Sequence, residues 1–442
     1  MVIEMTKTKS LCPVCLSELE ADLELRNGSV FLKKTCPEHG NQSFKITDYG
    51  LQHLELRNYY FTLFKNAPVQ DKYLLVLTEE CNLACPICYL KRNSGSFQKI
   101  EYDELSRITK NIKAEIIIYA AEPTCDGRLF DVIKLLRKHQ KSVSLYSNGI
   151  NLADFDYALK LKRAGIGKII LQFDGFNDEI YKIIRGRGLL DIKMQALNNL
   201  KKLGMPVILD VTVMKDVNES EVKNIMDYAL ENNFIKGVTY IGFFSPMVSD
   251  YKDSGLFMMP DDIIGIIQRQ TQGKIHVSNI NRLQKVLYNY MLMFNKRLCF
   301  YLKYYWVFRS KTGFSTIDDM LSLDKTEPIL EKLRTAHAHN KKVRIFLLRI
   351  GLFMSLMKNI KSWGIFRGLF LLAITHSLFN RDHNIISDKI LQIDFSTGCD
   401  PYRIDYKIVP HCSIGYIYKD AAGNVRVNTS AAPIIKDLKS YG

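Results

Sequence analysis

Between residues 73 and 244, short β-branched runs alternate with longer stretches whose apolar residues recur every three or four positions. This pattern predicts repeated strand–helix units around a parallel sheet. Six strands are expected, at 73–78, 115–120, 143–147, 168–173, 207–213 and 238–244. The helices between them include 128–139, 152–164, 191–203 and 219–232. Six such units make a partial barrel, and a barrel of this kind builds its site from the loops at the carboxyl ends of its strands.

Unusual residues gather at those ends. After the first strand comes TEECNLACPICYL, which places Cys81, Cys85 and Cys88 in C-x3-C-x2-C spacing. Three thiolates so close can hold three irons of a cuboidal 4Fe-4S cluster and leave the fourth open to a small ligand. The rival reading is a zinc knuckle or a buried thiol cluster, but zinc wants four ligands and no nearby His completes the set. After the second strand come Ala120, Ala121, Glu122, Pro123 and Thr124, after the third Ser147, Asn148 and Gly149, and after the fourth Asp174 and Gly175. Each alone is ordinary turn chemistry. Their common position at one rim argues for a site. Cys125 reads more simply as a small buried hydrophobe.

These residues resemble the radical S-adenosylmethionine (SAM) enzymes, over roughly residues 73–244. The resemblance implies that Cys81, Cys85 and Cys88 bind a 4Fe-4S cluster whose open iron takes the amino and carboxylate groups of SAM. Reduction then splits the sulfonium to methionine and a 5′-deoxyadenosyl radical, which abstracts hydrogen from an unactivated carbon. It also implies that the loop from Ala120 through Ala121, Glu122 and Pro123 to Thr124 meets the methionine amino group, and that Ser147, Asn148 and Asp174 serve the nucleoside side. One departure is that the loop after strand two normally begins with two glycines, where this chain has Ala120 and Ala121. Alanine tolerates β-region backbone, so the expected consequence is a shifted cofactor pose with binding retained.

Nearer the amino terminus, Cys12-Pro-Val-Cys15 and Cys36-Pro-Glu-His39 form two ligand pairs flanking a strand-like stretch at 29–32. The spacing is that of a zinc ribbon, a closed four-ligand site whose work is to fold a segment too small to hold its own core. Iron in a rubredoxin-like module is the alternative metal, and a disulfide framework fits poorly beside an iron-sulfur centre. A CPxC and CPEHG module ahead of ECNLxCPxCY is similar to the subgroup of tetraether lipid synthases and pterin-modifying methylases. That resemblance implies extra clusters near the carboxyl end. Cys299, Cys399 and Cys412 are the cysteines present there, so an auxiliary iron-sulfur cluster would need one non-cysteine or open position, and separate buried thiols are the alternative.

The composition bounds the remainder. A chain of 442 residues with 47% hydrophobic content can bury a large core. The net charge of +15 favours an anionic partner. From 332 to 381 there are ten Lys or Arg and no Asp or Glu, interleaved with apolar runs at 345–357 and 365–379 that read as two helices. Neither is long enough to cross a bilayer, so an interfacial helix pair or a core-packed pair with a basic rim is expected. Recognisable nucleic-acid modules are lacking, which ranks transfer RNA or peptide modification lower. With no secretory leader in residues 1–10, the expected location is cytoplasmic, with peripheral membrane association through the basic segment.

The expected fold is therefore α/β: a partial (β/α)6 TIM-like barrel, an N-terminal zinc-ribbon-like module, and a C-terminal helical plus small β extension. The expected units are 1–55 for the ribbon, 70–275 for the barrel, 276–385 for the basic apolar helices, and 386–442 for a C-terminal module around 390–427. The expected activity is radical SAM modification of an unactivated carbon in a lipid-like or other apolar, anionic-headed substrate, fed by a reductant such as ferredoxin or flavodoxin. A methylase of a pterin-like small molecule is the second reading, and a SAM-binding metal scaffold without turnover the non-enzyme one.

Overall fold

The computed structural model describes residues 5–64, 72–88, 95, 97–112, 114–139, 141–244, 255–293, 296–311, 313–358 and 388–428. Its first four strands, β1 (Met5–Leu11), β2 (Glu18–Arg26), β3 (Ser29–Cys36) and β4 (Gly40–Thr47), pair antiparallel in chain order. β2 and β3 are joined by Asn27 and Gly28, both at positive φ, the dihedrals that a tight hairpin turn demands. Such a small sheet has little core, and it leans on the rest of the chain instead. The Lys34 ammonium is buried and donates to the carbonyls of Leu11, Pro401 and Tyr402. Thr8 Oγ1 and Arg57 both bond the buried Asp405 carboxylate. Helix α1 (Gly50–Leu63) follows, burying Tyr59 and Tyr60.

A second sheet carries the six expected parallel strands: β5 (Lys72–Val76), β7 (Glu115–Tyr119), β8 (Val143–Ser147), β9 (Lys168–Gln172), β10 (Val207–Val213) and β11 (Ile235–Gly242). The short β6 (Phe97–Gln98) lies between β5 and β7 in the chain and pairs elsewhere. Helices α2 (Tyr102–Asn111), α3 (Leu129–Lys138), α4 (Phe155–Ala164), α5 (Asp178–Arg185), α6 (Leu190–Lys202) and α7 (Glu221–Glu231) lie between these strands. Along β10 the outer residues Val207, Leu209, Val211 and Val213 are buried among those helices, while Ile208, Asp210 and Thr212 alternate onto the inner face. Along β7, β8 and β9 both faces are largely buried, which is why those strands read as near-continuous apolar runs.

The chain then adds α8 (Pro260–Gln270), α9 (Val277–Met293), the antiparallel pair β12 (Leu302–Ser310) and β13 (Gly313–Thr316), the short α10 (Ile317–Met320), α11 (Glu327–Ala338) and α12 (Lys342–Lys358). The C-terminal strands β14 (Ile390–Thr397), β15 (Ile414–Asp420) and β16 (Val425–Asn428) join the barrel sheet rather than standing apart. β14 lies parallel to β11 and β15 parallel to β5, so one more parallel strand flanks the six on each edge. β12 and β16 then run antiparallel along the outside.

Of the two helices expected in the basic segment, the first falls within α12 and the second, at 365–379, lies outside the described residues. α12 buries Ile345 and Leu352 and exposes Val343, Phe346, Leu347 and Phe353. Among the described residues no helix is long and apolar enough to cross a membrane.

Candidate active site and metal centres

The cysteine loop leaves the end of β5, and the Cys88 amide donates to the Cys85 carbonyl at 3.1 Å in the turn that brings those two thiols together. The Leu83 amide points at the Cys81 sulfur at 3.4 Å. Cys88 is exposed and the other two are half-buried, so the trio faces an accessible mouth. Burial pushes the Cys81 thiol up to about 11. Among the described residues, only the ribbon quartet brings His, Cys or acidic ligand atoms all within 4.8 Å of one another. The donor set of three thiols fits a 4Fe-4S cluster with one iron unclaimed by protein.

The loop after β7 is locked against this one. Glu122 is fully buried, with its amide on the Glu80 carbonyl at 3.0 Å. Its carboxyl accepts from Ser147 Oγ at 2.9 Å, from the Asn148 amide at 2.6 Å and from Thr124 at Oγ1 and the amide. Burial raises the Glu122 carboxyl, opposed by those donors. Of the residues expected on the nucleoside side, Ser147 Oγ donates to Glu122, and Asn148 Nδ2 donates to Asn82 Oδ1 at 2.7 Å, beside Cys81. Pro123 and Thr124 are buried in a single turn of 3-10 helix, with the Thr124 carbonyl held by Asn151 and by the Tyr157 hydroxyl.

Ala120 and Ala121 depart from expectation. Their φ values are 76° and 39°, the left-handed region and not the β region. The loop keeps the backbone course that glycine permits, and two alanines carry it under strain.

Asp174 is likewise committed. Its carboxylate is fully buried and is gripped by Arg185 at 2.7 and 2.9 Å, with further bonds from Gln172 and the Thr212 amide. Arg185 in turn reaches the Cys85 sulfur. Lys193 on α6 is buried behind, donating to Gln172 Oε1 and the Asn148 carbonyl, and burial lowers it to about 7. Sequence reading passed over Arg185 and Lys193, because basic residues in surface-patterned helices carry no signal until the helices are placed. Asp210 was passed over although a single acid inside Val-Ile-Leu-Asp-Val-Thr-Val was visible.

In the ribbon all four expected ligands converge. Cys36 Sγ lies 3.3 Å from His39 Nδ1, Cys15 Sγ 3.7 Å from Cys36 Sγ, and Cys12 Sγ 3.6 Å from His39 Nδ1. The Val14 amide and Gln42 Nε2 point at the Cys12 sulfur, the outer bonds typical of a metal-bound thiolate. Sulfur and imidazole in a closed set of four suit zinc or iron.

Three cysteines from separate segments also meet. The thiols of Cys299, Cys399 and Cys412 lie near enough to influence one another's ionisation. Burial drives the Cys399 thiol up to about 12. Tyr416 on β15 feels all three thiols and also Tyr119 on β7, which in turn feels Cys88.

Residues 75–229 match the family model described as the radical SAM superfamily, and residues 5–48 match that of the HMPTM N-terminal zinc ribbon domain. The 7,8-dihydro-6-hydroxymethylpterin dimethyltransferase of Methanocaldococcus jannaschii is 30% identical over 468 residues, spanning 94% of this chain and 91% of that one. A probable GTP 3′,8-cyclase of Pyrococcus horikoshii is 31% identical over 164 residues, spanning 36% of this chain and 52% of that one. Among solved structures, Streptococcus suis SuiB bound to the precursor peptide SuiA gives a TM-score of 0.40 at 14% identity, covering 50% of this chain and 49% of that one.

Proposed function

Because the chain belongs to the radical SAM superfamily, in the ribbon-bearing family of the M. jannaschii pterin dimethyltransferase, it is an enzyme, and we propose that it C-methylates a reduced 6-hydroxymethylpterin. The observation that carries this reading is likeness along 94% of the chain to a protein of that name, against 36% for the P. horikoshii cyclase. A cluster and SAM bound here would supply, on reduction, a radical strong enough to take hydrogen from an unactivated carbon.

The chain's own residues divide the remaining work. Cys81, Cys85 and Cys88 would hold the cluster, and the backbone of Ala120 and Ala121 would meet the methionine amino group. Arg185, a cation beside Cys85, is suited to the methionine carboxylate, and Asp174 keeps it aimed. Glu122, Thr124, Ser147 and Asn148 act by fixing the two loops to each other. The ribbon ligands would hold zinc, and Cys299, Cys399 and Cys412 an auxiliary iron-sulfur cluster, which their convergence supports. The boundaries 1–55, 70–275, 276–385 and 386–442 are retained as functional units, but 276–385 is not helical throughout, because its β12 and β13 join the barrel sheet together with the strands of 386–442. A lipid-like substrate and peripheral membrane contact have support only from the exposed apolar side chains of α12.

The test is anaerobic incubation of reconstituted protein with 7,8-dihydro-6-hydroxymethylpterin, SAM and a strong reductant, followed by mass spectrometry of the pterin. Gain of one or two methyl groups is expected, and a label in the SAM methyl tells whether the cofactor is also the methyl source. An unchanged pterin, with 5′-deoxyadenosine released, would turn attention to the lipid reading. Iron analysis of the Cys299→Ala/Cys399→Ala/Cys412→Ala variant tests the second cluster: iron should fall by about half against wild type if two cubes are present.

A further inference from the structure

We infer that the barrel lumen holds a site for a 2-amino-4-oxopyrimidine ring, with the Asp210 carboxylate accepting that ring's two parallel N–H donors. The inference rests on the pterin reading and extends it to a residue that determines specificity.

The strand register places Asp210 within a continuous polar row. Gln172, Asp210, Thr239, Asp394 and Tyr304 are successive partners across β9, β10, β11, β14 and β12. Their neighbours Leu209, Val211 and Tyr240 are buried on the opposite, helix-covered face, so this row looks into the lumen. Three carboxylates lie in or beside the row, and their partners differ. Asp174 is taken up by Arg185. Both oxygens of Asp394 accept from Gln392 Nε2 at 2.9 Å. Asp210 has the Tyr146 hydroxyl on one side, while its Oδ1 is shielded from solvent and has no hydrogen-bond partner among the described residues. A shielded acceptor left open is costly unless a ligand or water meets it.

The surroundings suit a flat heteroaromatic ring. Tyr119 and Tyr146 stand edge to face at 5.2 Å. At the far end of the row, on β12, Tyr304 and Trp306 stack at 6.5 Å and 13°, and the Trp306 indole Nε1 is a second shielded polar atom with no hydrogen-bond partner among the described residues. Tyr119 feels both Cys88 and Asp210, so a ring anchored on Asp210 would lie on the cluster side of the lumen. An aminopyrimidinone offers its exocyclic amine and ring N3–H side by side, at the spacing of two carboxylate oxygens, and such a two-pronged pair discriminates strongly. A lipid chain offers nothing of the kind.

The test compares 6-hydroxymethylpterin with 6-hydroxymethyllumazine, in which the 2-amino group is replaced by oxygen, by fluorescence titration of the full-length metal-loaded protein and of Asp210→Asn and Asp394→Asn. Wild type should prefer the pterin by on the order of 30- to 100-fold. Asp210→Asn should abolish that preference, and Asp394→Asn should keep most of it. No preference in wild type, a result that needs no variant, overturns the assignment. So does a folded Asp210→Asn protein that still prefers the pterin. If neither ring binds and no pterin is methylated, the pterin reading itself fails and this inference with it. If the pterin is methylated while Asp210→Asn keeps the preference, only this inference fails.

Discussion

Arg185 grips Asp174 with two prongs, Nε to Oδ2 at 2.7 Å and Nη2 to Oδ1 at 2.9 Å, at the carboxyl ends of the barrel strands. The Asp174 side chain is fully buried and that of Arg185 is 12% exposed. Removing one partner of so buried a pair strands the other charge, which typically costs about 3–5 kcal/mol. Asp174→Ala should therefore lower the urea midpoint markedly. Asp174→Asn, which keeps one acceptor, should lower it less. Equal, small shifts for both would show that the pair is not carrying the loop.

The left-handed backbone at Ala120 and Ala121 predicts an unusual direction of change. At positive φ an alanine costs roughly 1–2 kcal/mol against glycine, offset by glycine's greater freedom when unfolded. Ala121→Gly should raise stability by about 0.5–1 kcal/mol. Ala120→Gly should come out near neutral, because the Ala120 methyl packs with Val76, Phe97 and Tyr418 and that contact would be lost. Thermal or urea unfolding of the two single variants reads the difference.

Lys193 sets a pH dependence. Burial, the main cause, lowers it to about 7 against 10.5 in the unfolded chain, with Asp174, Glu122 and Cys85 pulling it up and Arg185 pushing it down. Between those two values the unfolded chain binds the extra proton, so this residue's contribution to stability grows as pH rises from about 7 toward 10.5 and is lost on the way back down. Relative to Lys193→Met, wild type should gain up to about 1.4 kcal/mol per pH unit across that window. Parallel pH profiles for the two proteins would contradict it.

The ribbon should lose its metal without harm to the cluster. Cys36→Ser removes a ligand that touches both Cys15 and His39, so elemental analysis should show loss of the ribbon ion with the iron content unchanged. Limited proteolysis should then open residues 5–48, the span of the ribbon match. Retention of the ion would mean that the four residues are not its ligands.

Strand and helix periods, the cysteine spacings and the turn residues at the rim were all legible, because each is a local pattern with a local cause. Strands β8 and β10 have the expected bounds, 143–147 and 207–213. What stayed hidden was set by pairing across long stretches of chain. Nothing local to Ile414–Asp420 says that it lies beside Lys72–Val76, and nothing local to Arg185 says that it reaches Cys85. Ser147 and Asn148 were legible as rim residues, yet their partners Glu122 and Asn82 follow only from the closed loops. The alanines were legible as a departure, but the sign of their effect needed the φ values.

The central claim is that Cys81, Cys85 and Cys88 hold a cube with one open iron that binds and cleaves SAM. Its most direct test is electron paramagnetic resonance on oxygen-free, reduced protein carrying Cys299→Ala, Cys399→Ala and Cys412→Ala, recorded before and after adding SAM, with 5′-deoxyadenosine assayed in the same tube. A reduced 4Fe-4S signal that shifts on addition of SAM, accompanied by 5′-deoxyadenosine and abolished by Cys85→Ala, is predicted. A protein with no such signal, or one whose signal is indifferent to SAM, would contradict the account.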